Sequence, residues 1–246
     1  MANVYNTVYK KGAVRVPIKV HLENRMDYRF SIAKRSAILR MPSWFLKKQR
    51  SKTYDKFIVW LENHHDSTPD MFTRFEIKQY QDGDEITLFG ETYTLDISVT
   101  DTDRVRAKVK EDGLTIYITI PADLGEDRDI HVTSILKKIV PKALKPKVEA
   151  RLSEFADNVV GVKYNNFRLK DSLTNWGSCS GKNNINISIR TLLLPMEMID
   201  YVLIHELCHL IELNHSPAYW ANVEKAMPEY KRAENWISAH GNKYFF

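Results

Sequence analysis

Cysteine is scarce in this chain. Only Cys179 and Cys208 occur among 246 residues, too few for a disulfide framework, so stability must come from a buried core and a reducing cytoplasm is the expected compartment. Long apolar runs are missing too. Stretches such as Tyr201 to Ile204 are far short of the roughly 20 residues a membrane helix needs, so no spanning helix and no membrane partner are expected. The opening Met1-Ala2-Asn3-Val4-Tyr5-Asn6 has no basic segment followed by an apolar one, so no signal peptide is expected either. There is no glycine-rich phosphate loop, internal repeat or low-complexity segment. The composition that is present, 43% hydrophobic and 27% charged, is that of an ordinary globular protein.

Charge is unevenly spread. Residues 1–70 hold 14 Lys and Arg against 6 Asp and Glu, and the remainder holds 22 against 25. No nucleic-acid motif accompanies the basic third, which reads as the solvated face of a β-rich region; contact with nucleic acid is the alternative it leaves open.

The period of the apolar residues changes along the chain. Val14 to Leu22 alternates as a strand, with Pro17 marking an edge or an interruption. Tyr28 to Met41 reads as two strands joined near Ala33 to Ser36. Trp44 to Asn63 has helical spacing at Phe45, Tyr54, Phe57, Ile58 and Leu61. Two hairpins follow, one turning at Gly90-Glu91 and one at Glu111-Asp112-Gly113. The polar stretch Pro121 to Asp129 is the expected boundary between an N-terminal β-rich region with one helix, 1–128, and a second domain, 129–246, giving an α+β protein. Residues 131–158 have helical spacing, with Pro141 and Pro146 expected to kink or divide the helix. Its lysines 137, 138, 142, 145 and 147 read as a solvated face. After a strand at Val162 to Leu169, Asn175 to Gly181 reads as a loop and Ile185 to Ile189 as a strand. Pro195 opens a helix expected to reach Leu213, with Asn214 as a left-handed terminator.

That helix carries Ile204-His205-Glu206-Leu207-Cys208-His209-Leu210. Four residues are about one turn, so His205 and His209 project from one face and can share an ion, with Glu206 beside the water it activates. Burying these groups on an apolar helix is costly without a compensating partner, and a metal supplies one. Zinc with three protein ligands and an open position is the expected arrangement, although the ligands suit other divalent ions. His215 is the expected third ligand. Its spacing from His209 matches the metzincin motif, with Glu212 at that motif's glycine, and Glu224 and Glu229 are the alternatives. Glu206 is the expected general base. A donor to the oxyanion is sought among Tyr219, Tyr230 and the polar groups of Asn175 to Ser180. Cys208 reads as a small buried hydrophobe, and His21, His64, His65, His131 and His240 show no ligand spacing.

Trp176-Gly177-Ser178-Cys179-Ser180, followed by the His205 to Leu210 motif and by Asn214-His215-Ser216 with Tyr219-Trp220 and Pro228-x-Tyr230, resembles the YgjP-like metallopeptidase family, and more distantly SprT-like proteins. The likeness is good over roughly residues 130–240 and loose before them. It implies a zincin-like catalytic domain with His205, His209 and His215 as ligands and Glu206 as base. It also implies that the strand at Ile185 to Ile189 borders the cleft, where an extended peptide could add. Asn175, Trp176, Ser178, Cys179, Tyr219 and Tyr230 are the candidate cleft-lining residues, with loop packing equally open for Trp176 and Cys179. Asn175 stands where the family often has a basic residue, and Tyr219 where it often has phenylalanine. The expected function is therefore a zinc metallopeptidase acting on peptides or proteins. A nucleotide or phosphoanhydride hydrolase, and a nucleic-acid-associated protein with a structural zinc, are the alternatives.

Overall fold

The computed structural model describes residues 3–101, 103–110 and 113–246. The chain divides into two compact units, Met1–Lys78 and Gln79–Phe246.

In the first unit β1 (Asn3–Lys11) and β2 (Val14–Glu23) form an antiparallel ribbon. β2 then pairs in parallel with β4 (Ala37–Pro42), which pairs antiparallel with β3 (Arg29–Ile32), giving the order β1-β2-β4-β3. The alternation seen in the sequence sets the faces: Val14, Val16, Ile18, Val20 and Leu22 all point inward and are buried. Pro17 precedes the stretch paired with β4, which begins at Ile18, so on that side β2 is still an edge there. Helix α1 (Lys47–Ser67) buries Phe57 and Leu61 in the core they share with β2, β4, Phe72 and Phe75.

The second unit opens on the hairpin of β5 (Glu85–Leu88) and β6 (Glu91–Thr100). Phe89 and Gly90 both have positive φ, 51° and 78°, as a two-residue turn of this hand requires. A Cβ at residue 90 would also lie 2.6 Å from Met196 Cγ, which fixes glycine there. β7 (Arg106–Val109) and β8 (Thr115–Pro121) pair antiparallel, and β8 lies parallel to β6, giving the order β5-β6-β8-β7. Glu111 and Asp112 of the expected second turn lie outside the described residues.

Helix α2 (Arg128–Phe155) crosses this sheet as one continuous helix, undivided by Pro141 and Pro146. Val132, Leu136, Val140, Leu144, Val148 and Leu152, each four residues apart, form one buried stripe, and this packing on both sides of the prolines outweighs the two backbone hydrogen bonds they remove. The boundary expected at 128/129 falls inside this unit. Ile116, Ile118 and Ile120 share a core with Val132, Leu136 and Val140, so the polar stretch between them is a connection within one body.

A second sheet of β9 (Asn166–Lys170), β10 (Gly177–Cys179) and β11 (Asn184–Ser188) has the order β10-β11-β9. Two expectations change here. The stretch 175–181 is a strand at its centre. β11 is paired on both sides, so the edges of this sheet are β10 and β9. Helices α3 (Met196–Cys208), α4 (Pro217–Ala226) and α5 (Tyr230–His240) complete the unit. No helix among the described residues is long and apolar enough to cross a membrane.

Candidate metal centre

Helix α3 is buried nearly all round, and Ile199, Val202, Leu203 and Leu207 anchor it in the core. It ends earlier than its periodicity suggests. His209 is the cap, and the chain tightens at once, with the amides of Leu210 and Ile211 donating to the carbonyls of Leu207 and Cys208, both at 3.0 Å. Asn214 is not left-handed; its backbone N–H donates to Glu212 Oε1 at 3.3 Å. This early stop brings the chain back at His215. Ser216 then caps α4 by accepting from the Tyr219 amide at 3.3 Å, and Pro217 fills the first helical position.

The turn places His205, His209 and His215 together, with one ring nitrogen from each within 4.8 Å of the others. His205 Nε2 and His215 Nε2 are 3.2 Å apart. The other ring nitrogens have oxygen neighbours. His209 Nδ1 donates to the Glu212 carbonyl at 3.2 Å, and His205 Nδ1 lies 3.4 Å from the Tyr201 hydroxyl. That arrangement leaves Nε2 of both rings for an ion, the pattern by which an outer contact fixes a ligand's tautomer. Glu224 and Glu229 are exposed and stand outside this group.

Glu206 is 5% exposed, and its Oε2 is buried without a hydrogen-bond partner. Gly177 makes room for it: a Cβ there would lie 2.5 Å from Glu206 Cγ and Oε1. Burial pushes the Glu206 carboxyl up to about 8. Burial pulls His205 down to about 3, helped by His209 and His215. His209 is lowered chiefly by burial as well, opposed by its bond to the Glu212 carbonyl. A set of neutral imidazoles beside an unpartnered buried carboxyl fits one divalent cation, which would relieve both burdens.

These groups open on a cleft of about 570 Å³. One wall is Asn175, Trp176, Gly177, Ser178 and Cys179, so four of the candidate lining residues do face it. Burial, then Glu206, raises the Cys179 thiol to about 11. The cleft is also lined by residues that spacing gave no reason to choose: Tyr201 and Val202 from α3, and Glu234, Ile237 and Ser238 from α5.

Tyr219 and Tyr230 do not line the cleft. Tyr219 is fully buried behind the histidines, its ring stacked on His209 at 4.5 Å and its hydroxyl donating to the His205 carbonyl at 3.0 Å. Tyr230 stacks on Trp220 at 5.3 Å. Both are therefore framework, and Tyr219 has no donor left for an oxyanion. Arg190 is a further residue the sequence did not single out. Its guanidinium lies 4.1 Å over Trp176 and donates to the carbonyls of Leu173, Tyr244 and Gly241, tying the cleft wall to the chain's last turn. Thr191 Oγ1 and the Ser188 amide both donate to the Trp176 carbonyl, at 3.0 and 2.7 Å.

The profile of the YgjP-like metallopeptidase domain matches residues 26–240. Among solved structures, the zymogen of the Pyrococcus abyssi metallopeptidase abylysin is 30% identical, covering 40% of this chain and 99% of its own, with a TM-score of 0.36. The zymogen of the Methanocaldococcus jannaschii metallopeptidase jannalysin is 17% identical, covering 37% of this chain and 94% of its own, with a TM-score of 0.34. No curated protein matches the chain.

Proposed function

The chain belongs to the YgjP-like metallopeptidase family, and on that premise we propose that it is a zinc-dependent hydrolase of peptide bonds whose ion is held by His205, His209 and His215. The observation that carries this reading is the convergence of three imidazole nitrogens within 4.8 Å beside a buried carboxyl with an unpartnered oxygen. When bound, a zinc ion there supplies Lewis-acid polarisation and acidifies water.

The remaining work belongs to this chain's own side chains. Glu206 Oε2 takes a proton from the attacking water and returns it to the leaving amine. Burial raises its affinity for protons in the metal-free chain, and a cation bound beside it would favour the ionised form that can accept one. Its burial limits how far solvent can reach the carboxyl. Tyr219 and the Glu212 carbonyl hold α3 and the His209 ring in place. Because β10 is the edge that borders the cleft, an extended peptide would add to β10 rather than to β11. With Tyr219 and Tyr230 set back, the oxyanion donor is sought among Tyr201, Asn175 and the backbone of β10, all on the cleft wall.

No lysine or arginine lines the cleft among the described residues, which leaves a phosphoanhydride without a cationic partner and favours a peptide. The structural-zinc alternative is disfavoured by the same geometry, since three protein ligands leave one position open.

The test is a screen of unfolded proteins and peptides with zinc-loaded wild type and Glu206→Gln. Cleavage by wild type and its loss in a variant that keeps its metal supports the reading. Equal turnover by both overturns the role of Glu206.

A further inference from the structure

Among the described residues six strands end a sheet: β1 and β3, β5 and β7, β9 and β10. Five of them are only three to five residues long. All of these but β10 carry charge, as in Arg29 on β3, Glu85 on β5, Lys108 on β7 and Arg168 on β9. β1 differs. It runs nine residues, pairs with β2 without a bulge, and has no charge, proline or glycine from Val4 to Tyr9. Val4, Tyr5 and Val8 are 43, 54 and 49% exposed. Sheets normally blunt such an edge with charge, proline or a bulge; β1 has neither proline nor bulge, and its charges, Lys10 and Lys11, are confined to its last two residues, leaving Val4 to Tyr9 without any of the three.

We propose that β1 is a homodimer interface, pairing antiparallel with β1 of a second copy about a two-fold axis through Asn6. The chain itself selects this occupant, because Val4-Tyr5-Asn6-Thr7-Val8 reads nearly alike in both directions about Asn6. An axis perpendicular to the sheet keeps each face intact, so it pairs even positions with even and odd with odd. Tyr5, Thr7 and Tyr9 stand across from Val20, Ile18 and Val16 on the core-facing side, and Val4, Asn6 and Val8 lie on the other.

Centred on Asn6, Val4 of each copy meets Val8 of the other, and Tyr5 meets Thr7; apolar and aromatic–β-branched pairs of this kind stabilise neighbouring strands. Lys10 and Lys11 fall at opposite ends, so like charges never face each other. The next register, centred on Thr7, would oppose Val4 to Lys10 and Asn6 to Val8. An unrelated extended peptide could use the same backbone groups, but it would give no reason for the near-palindrome.

Sedimentation of the full chain over a range of concentrations, with three variants, tests this. Wild type is expected to dimerise reversibly. Val8→Lys, at an exposed position, keeps the circular dichroism of wild type and weakens the dimer roughly tenfold or more, since each interface loses both valine pairs. Asn6→Cys forms an intermolecular disulfide under mild oxidation, because facing residues of antiparallel strands lie within disulfide reach, and Thr7→Cys does not. A wild type that stays monomeric at its highest soluble concentration overturns the proposal. So does a dimer that Val8→Lys leaves intact, or cross-linking at residue 7 in place of residue 6.

Discussion

The Cα of Gly177 lies against the carboxylate of Glu206, so close that a methyl group on residue 177 would sit 2.5 Å from Oε1. An edge strand and the central helix of the site thus share one atom's width of space. Gly177→Ala must push Glu206 aside, and because misplacing a catalytic group by about 1 Å costs on the order of 100-fold, cleavage should fall by about that factor. Metal content should be unchanged, as the three atoms nearest a side chain at residue 177 all belong to Glu206. Turnover within a few-fold of wild type would show that Glu206 tolerates displacement and is not the base.

Tyr219 supports His205 through its main chain rather than through the substrate. Tyr219→Phe removes one buried hydrogen bond, worth about 0.5–1.5 kcal/mol, and should lower the denaturant midpoint accordingly. The turnover of the zinc-loaded variant should stay near that of wild type. A large loss of turnover without a loss of stability would return the hydroxyl to the reaction.

Arg190 fixes the cleft wall from behind with three bonds to carbonyls and a stack on Trp176. Arg190→Ala leaves those carbonyls short of a donor and should cost at least about 2 kcal/mol. In chains that remain folded, KM for peptides should rise more than kcat falls, because the wall moves and the histidines do not. A drop in metal content of the same size as the drop in activity would contradict that division.

The metal-free protein should weaken as pH rises from 6.5 to about 8. Glu206 has a folded value of about 8 against an ordinary 4.5, so between these values the folded chain holds a proton that the unfolded chain has released. Its contribution is complete below 4.5 and is lost as pH rises through 8. His205 acts in the opposite direction, since its neutral burial is favourable above 6.5 and is lost as pH falls toward about 3. Comparing urea midpoints at pH 6.5 and 8 therefore isolates Glu206, and Glu206→Gln should remove the difference. Equal slopes for the two proteins would contradict the burial of an unpartnered carboxyl.

The parts of the site that were legible in the sequence are local. His205, Glu206 and His209 follow from one turn of helix, and His215 from the short return that Ser216-Pro217 ends. The rest depends on contacts between distant segments. Nothing near Arg190 shows that it reaches Tyr244, and nothing near Gly177 shows that Glu206 needs its space. Tyr219 appears as a cleft residue on spacing alone, yet α4 turns it behind the histidines. The units divide at Lys78/Gln79 rather than at 128/129 for a related reason. Polarity marks Pro121 to Asp129, but the core changes between Phe75, which packs with β2, and Tyr80, which packs with β6 and β8. Likewise, two prolines predict a divided helix only until a stripe of six aliphatic residues holds α2 together.

On the proposed reading three histidines, and no fourth protein group, hold one ion in the cleft. Anomalous diffraction from zinc-soaked crystals locates that ion. The expected result is a single peak about 2.0–2.1 Å from Nε2 of His205 and His209 and from a ring nitrogen of His215, with one coordination position facing the cleft. A peak elsewhere, or an ion closed off by a fourth side chain such as Cys179 or Glu234, would contradict it.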